Sequence, residues 1–224
     1  MAQLGRRHKG EELNKKDVLR VAGIYFLQKG YNATTFKDIA GEVGVAQSAV
    51  AFRFGSKAGI LAELAEGIVR SQFQITNELI EGKTEDSILI FAVERVLQIY
   101  LAESGSNIRE LYNLVYSIPE VSDRVYGAIT KELKRLFGEY FPEYDEFEFY
   151  LKELAMSGIM QNFMKVPSDK VSMEQKVYVC LESTFKILSF DKAKLEEAIE
   201  FIKLFNFKEI ASSAIERVLD KLTK

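Results

Sequence analysis

The residues of this chain that could do chemistry are few, and their spacing does not favour catalysis. One histidine, His8, and one cysteine, Cys180, allow neither a histidine triad nor a zinc site of the usual ligand spacing. Cys180 lies in the apolar run VYVCLE, the setting of an inert core thiol rather than a nucleophile. The acidic run EYDEFE suits a solvated helix start, where negative charge meets the positive end of the helix dipole. There is no glycine-rich phosphate loop, so we expect no catalytic residue, no metal site and no cofactor. The segment that stands out instead is VGVAQSAVAFRFGSK, residues 43–57. Wound as a helix, it places Ala46, Val50 and Phe54 on one stripe and gathers Gln47, Ser48 and Ala51 roughly opposite. That outer face is small and uncharged, so another surface can approach it closely.

Such a face needs a scaffold, and the flanking residues supply one. Val18, Ala22, Tyr25 and Phe26 recur at three- and four-residue spacing before Lys29-Gly30, predicting a helix over 15–29. In TTFKDIAGEVG, Thr35 is an N-cap with Asp38 three residues on. Ile39, Ala40 and Val43 then face inward, and Gly44 is free to take positive φ. Val45 plugs the turn and a third helix opens at 46 or 47. Three helices with a tight glycine turn between the second and third make a helix-turn-helix. Amphipathic periodicity continues over 57–80, 86–103, 106–117, 120–140, 144–165, 173–189, 191–205 and 207–222. Gly82, Gly105, Pro119, Pro142 and Pro167 break it, with all three prolines placed between helices. Alternating β patterns, repeats and long linkers are missing. The expected fold is all-α: an N-terminal helix-turn-helix head over 10–60, continuous with a larger helical-bundle body over 61–224.

Composition and charge agree with this division. At 224 residues, 47% hydrophobic and 28% charged, the chain is ordinary globular protein with enough length to bury a core. No apolar run approaches membrane-spanning length and the N-terminus has no signal-like stretch, so we expect a cytoplasmic protein without a membrane partner. Residues 1–57 hold ten Lys or Arg against five Asp or Glu, a net of +5. The remainder holds 20 basic and 28 acidic residues, a net of −8. The basic end suits a polyanion, although a lysine-rich solvated terminus would look the same.

The stretch GYNATTFKDIAGEVGVAQSAVAFRFGSKAGIL resembles the DNA-binding head of tetracycline-repressor-like (TetR-family) transcriptional regulators over 18–64. Gly30-Tyr31, Thr34-Thr35, Asp38-Ile39-Ala40, Gly44-Val45, Val50, Phe54 and Ser56-Lys57 carry the likeness. The resemblance implies that the third helix enters the major groove of a double-stranded DNA operator. Positions matching Gln47, Ser48 and Ala49 would meet base edges, and those matching Thr35, Ala51, Arg53 and Lys57 would lie near phosphates. Gln47 can pair with adenine, and the methyl of Ala49 or Ala51 can meet thymine. The chain departs from the pattern at Ala51, where the family has Tyr, and at Arg53, where it has Tyr or His. Arg53 can replace that anchoring with a charge-assisted phosphate bond, while Phe52 either packs beneath the helix, the favoured reading, or lies against the sugar backbone. Each residue also has an ordinary use: Thr35 caps a helix, Lys57 can be a solvated lysine, and Gln47 and Ser48 can be plain surface polars.

In the body, SILIFAVERVLQIYLAE is apolar all round apart from a narrow stripe of Ser87, Glu94, Arg95 and Gln98, which suggests a helix buried in the middle of the bundle. The stripe either lines a polar corner of a cavity or, the favoured reading, is the face that meets water. Phe91, Tyr112, Tyr116, Phe137, Met160 and Phe163 are soft aromatic and thioether surface suited to a ligand pocket and equally at home in a core. The resemblance implies a small, largely apolar effector there and a homodimer formed by helices 144–165 and 173–189. In the first of these helices, Ala155 and Gly158 form a small patch suited to close helix crossing at the dimer, or else Gly158 faces the same subunit's ligand cavity or a neighbouring helix. Residues 191–222 form an additional pair, capped by Asp191 and by Asn206 with Glu209, with Ala211, Ile215, Val218 and Leu222 as its inward stripe. This pair either extends the dimer contact or covers the body's own core. The expected function is a homodimeric repressor released from its operator by the effector. The alternative is a ligand-independent DNA-binding or architectural protein.

Overall fold

The structure is a computed structural model describing residues 13–223, with side chains described as far as Asp220; His8 and Leu222 lie outside the described side chains. It contains α1 (Lys15–Gln28), α2 (Phe36–Val43), α3 (Gln47–Phe54), α4 (Lys57–Ile80), α5 (Ser87–Glu103) and α6 (Ser106–Ser117). These are followed by α7 (Pro119–Phe137), α8 (Glu146–Lys165), α9 (Met173–Ile187), α10 (Lys192–Ile202) and α11 (Phe207–Thr223), with no strand among the described residues.

Most helix starts are written in short side chains. Asn14, Ser56, Asp86, Asp145 and Asp191 each accept a first-turn backbone N–H. Thr35 with Asp38, and Ser172 with Gln175, close reciprocal capping boxes. Pro119 is a correction, because it is the first residue of α7 rather than a residue between helices. A first-turn N–H has no partner within the helix, so proline there loses nothing.

The turn between α2 and α3 depends on Gly44, whose φ of 80° lets its own N–H and that of Val45 both donate to the Ala40 carbonyl at 2.9 and 3.0 Å. At the other end of α3, a Cβ built on Gly59 would stand 2.1 Å from the Phe54 carbonyl oxygen. Only glycine lets α4 pass this close to the end of α3.

The body is organised around α5, thirteen of whose seventeen residues are buried. It packs against α4, α6, α9, α10 and α11. The stripe expected to meet water does not: Glu94, Arg95 and Gln98 are 3%, 1% and 3% exposed, and only Ser87 is half-buried. Because α5 is surrounded, its polar residues meet those of neighbouring helices. The additional pair α10–α11 also lies against α5, and α11 reaches α1 as well, so it covers the chain's own core. Phe207 stacks on Tyr100 at 5.6 Å, and Ala211 and Ala214 are buried. Val218 is 37% exposed and so stands outside the inward stripe expected of it, on the solvent side of α11.

Candidate nucleic-acid interface and the polar core behind it

Val50 and Phe54 anchor α3 in the head core, where they meet a cluster containing Val18, Phe26, Ile39 and Val43. This turns Gln47, Ser48, Phe52 and Arg53 outward to solvent, with Ala49 and Ala51 half-buried between them. Phe52 corrects the sequence expectation: it is 94% exposed rather than packed. It lies one turn from Ser48 at i, i+4, so the two share the centre of the outer face. The first turn of α3 has no side-chain cap, because Ala46 has no acceptor to offer.

Two expected phosphate contacts have other engagements. The Thr35 hydroxyl donates to Asp38 Oδ2 at 2.6 Å and accepts from the Asp38 amide at 3.2 Å. These bonds hold the Asp38 carboxyl below its ordinary pKa. The Lys57 ammonium donates to the Tyr31 and Thr34 carbonyls at 2.7 and 2.9 Å and lies 4.2 Å over the Tyr31 ring. Burial lowers its pKa. Lys57 is therefore a latch for the α1–α2 loop, a use the sequence did not reveal.

The head is fastened to the body through the start of α6. Asn107 Nδ2 donates to the Leu27 and Gln28 carbonyls at 2.9 and 3.2 Å, and Asn32 Nδ2 donates to Glu110 Oε1 at 2.5 Å. Ser56 Oγ donates to Glu120 Oε2 on α7 at 3.2 Å. The same α6 carries Tyr112 and Tyr116 into the body. Gln72 Nε2 on α4 donates to the Tyr112 hydroxyl at 2.9 Å, and Gln98 Nε2 on α5 donates to that of Tyr116 at 2.6 Å.

These tyrosines border a buried ionic cluster. Arg95 donates to Glu153 Oε2 at 3.1 Å and to Gln98 Oε1 at 3.4 Å, and its guanidinium lies 4.9 Å over the Phe91 ring. The Ser157 hydroxyl donates to Glu153 Oε1. Burial works against the Arg95 charge, but Glu153 and Glu94 outweigh it and hold the guanidinium pKa above normal. Burial pushes the Glu94 carboxyl up to about 7, with Arg95 pulling the other way and Glu153 and Glu132 adding to the rise. Burial also raises the Cys180 thiol to about 12, which suits an unreactive core residue.

Of the expected ligand residues, the structure brings Phe91 and Phe137 edge to face at 5.4 Å and sets Tyr116 beside the ionic cluster. Phe137 otherwise belongs to an aromatic group with Tyr140, Phe141 and Phe190. Met160 is buried and Phe163 half-buried on α8. Ala155 and Gly158 are exposed, and nothing lies within 4 Å of a Cβ built on Gly158. The same region of α8 and α9 exposes Leu151, Tyr178 and Val179.

A helix-turn-helix head rooted in an all-helical body defines a helical DNA-binding regulator. Residues 18–64 match the family model of the bacterial regulatory proteins of the tetR family. The chain is 26% identical over 174 residues to IcaR of Staphylococcus aureus, the HTH-type negative transcriptional regulator of the biofilm operon icaADBC. That match covers 75% of this chain and 90% of IcaR. The crystal structure of RolR in complex with resorcinol shares the fold, with a TM-score of 0.62 over 82% of this chain and 91% of that one at 11% identity. Among the described residues, no helix is long and apolar enough to cross a membrane, and no His, Cys, Asp and Glu group is placed to hold a metal.

Proposed function

We propose that the protein is a homodimeric transcriptional repressor that leaves its double-stranded operator when a small, largely apolar molecule enters the body. The outer face of α3 carries this proposal: a head core that buries Val50 and Phe54 leaves Gln47, Ser48, Ala49 and Phe52 free to enter a major groove. Gln47 serves adenine, while the Ala49 methyl and the Phe52 ring serve thymine methyls. Arg53 anchors a phosphate, Ala51 lets the backbone approach, and Thr35 sets the start of α2 beside the groove. The residues 10–60 read DNA and 61–224 bind effector and partner, with α4 crossing the boundary unbroken.

The dimer forms through the exposed apolar faces of α8 and α9, where Ala155 and Gly158 permit close helix approach. Effector and operator are coupled through α6. Any molecule that displaces Tyr112 or Tyr116 shifts the helix whose first turn grips the end of α1 through Asn107 and Asn32 through Glu110. Two heads whose separation changes no longer fit successive grooves, and effector and operator become mutually exclusive by linkage.

Selection of duplexes from a random-sequence pool tests the proposal. An inverted repeat with half-site centres about one helical turn, 34 Å, apart is the expected product. Enrichment of no sequence overturns it.

A further inference from the structure

We propose that the Glu94–Arg95–Glu153 cluster is the recognition floor of a site for a small organic cation: a protonated amine carried on an aromatic or apolar body. This rests on the reading above that the body takes an effector, and it names the effector's chemistry.

The cluster is unbalanced in charge. Two carboxylates and one guanidinium share a space where Glu94, Arg95 and Glu153 are all nearly or fully buried. The terminal nitrogens of Arg95 are taken by Glu153 and Gln98, and both oxygens of Glu153 are taken by Ser157 and Arg95. Glu94 is the carboxylate left over. Its Oε2 lies 3.4 Å from Arg95 Nε, within ion-pair reach, yet neither atom makes a hydrogen bond. Adjacent residues on one helix cannot align those two groups. A buried carboxylate oxygen without a hydrogen bond is costly enough that its retention calls for a partner or a use.

The surroundings specify the partner's charge. Glu132 on α7 adds a further negative contribution at Glu94. The nearby rings are electron-rich: Phe91 lies under Arg95, and Tyr116 stands 6.1 Å from Tyr126, which stands 6.3 Å from Tyr150. Tyr150 at the outer end of this column lines a shallow, open surface cleft with Gly127, Thr130, Glu146 and Phe147. Carboxylates and aromatic faces together favour an organic cation. An anion would meet carboxylates and an arginine already engaged, and a neutral apolar molecule would leave Glu94 unsatisfied. An amine bonded to Glu94 would also lie near Tyr112 and Tyr116, at the α6 lever.

The test uses three probes on one skeleton: phenethylamine, 2-phenylethanol and 3-phenylpropionate. Each is titrated calorimetrically into the full chain at pH 6 in two buffers of different ionisation enthalpy, with release from the selected duplex measured in parallel. Phenethylamine should bind at least tenfold tighter than the other two and expel a proton, because a cation needs Glu94 charged. Glu94→Gln should remove the proton release and reduce amine affinity about tenfold. The wild-type comparison of the three probes stands even if this variant does not fold. Equal or tighter binding of the alcohol or the carboxylate overturns the cationic class while leaving an effector site in place. No binding by any probe overturns the proposed site. Amine binding without release from DNA keeps the cation site but overturns the reading of the body as its effector domain.

Discussion

Glu94→Gln has a pH signature that follows from where the carboxyl sits. In the fold its pKa is pushed from 4.5 up to about 7, chiefly by burial. The folded protein thus holds the Glu94 proton more tightly than the unfolded chain does. Its contribution to stability is complete below the unfolded value and is lost as pH rises through about 7. At 1.36 kcal/mol per pKa unit, that rise corresponds to an upper limit of about 3 kcal/mol at pH 8. Glutamine keeps the shape and cannot ionise, so it escapes this loss. For a chain of this size, about 2–4 °C of melting temperature accompanies each kcal/mol, which predicts that Glu94→Gln melts higher than wild type at pH 8, by at most roughly 6–12 °C. At pH 5 the two should melt within a few degrees of each other. Thermal unfolding followed by circular dichroism at pH 5, 6, 7 and 8 measures the difference. A gap that stays constant across the series, or a variant less stable at pH 8, refutes the reasoning.

The head and the dimer face give further expectations. Arg53→Ala should weaken binding to all duplexes alike and flatten the log-log salt dependence by about one unit. Lys57→Ala should instead lower the melting temperature, since its ammonium is bonded to the Tyr31 and Thr34 carbonyls, with the salt slope of the folded protein unchanged. Gln47→Ala and Phe52→Ala should each relax preference at one base position per half-site at a cost of about 1–3 kcal/mol, measured by titrating point-substituted duplexes. Gly158→Arg places a long charged side chain on the exposed face of α8 and should give a folded monomer with lost operator affinity. Light scattering and circular dichroism on one sample check this, and a normal dimer would remove Gly158 from the interface.

The sequence made the local signals legible. Thr35 with Asp38 and Asn206 with Glu209 mark helix starts by chemistry that acts over three residues, and Gly44 marks a turn through its own backbone. The helix pattern of the body followed because amphipathic periodicity is also local. What could not be read was the identity of distant partners. Glu94, Arg95 and Gln98 form a polar stripe whether water or another helix faces them, and the partner of Arg95, Glu153, lies 58 residues away. Lys57 finds its carbonyls 26 and 23 residues upstream, across a loop whose path periodicity does not encode. Phe52 was misjudged on hydrophobicity alone. Its offset of two residues from both Val50 and Phe54 places it off the buried stripe, so that signal was present.

The central claim is that the face of α3 carrying Gln47, Ser48 and Phe52 reads DNA as one half of a dimer. Titrating the purified full chain against the selected inverted repeat and against duplexes carrying only one half-site tests this directly. One dimer should bind each intact repeat, with a single half-site costing at least tenfold in affinity. Equal affinity for one half-site and the full repeat, or saturation by a monomer, would contradict it.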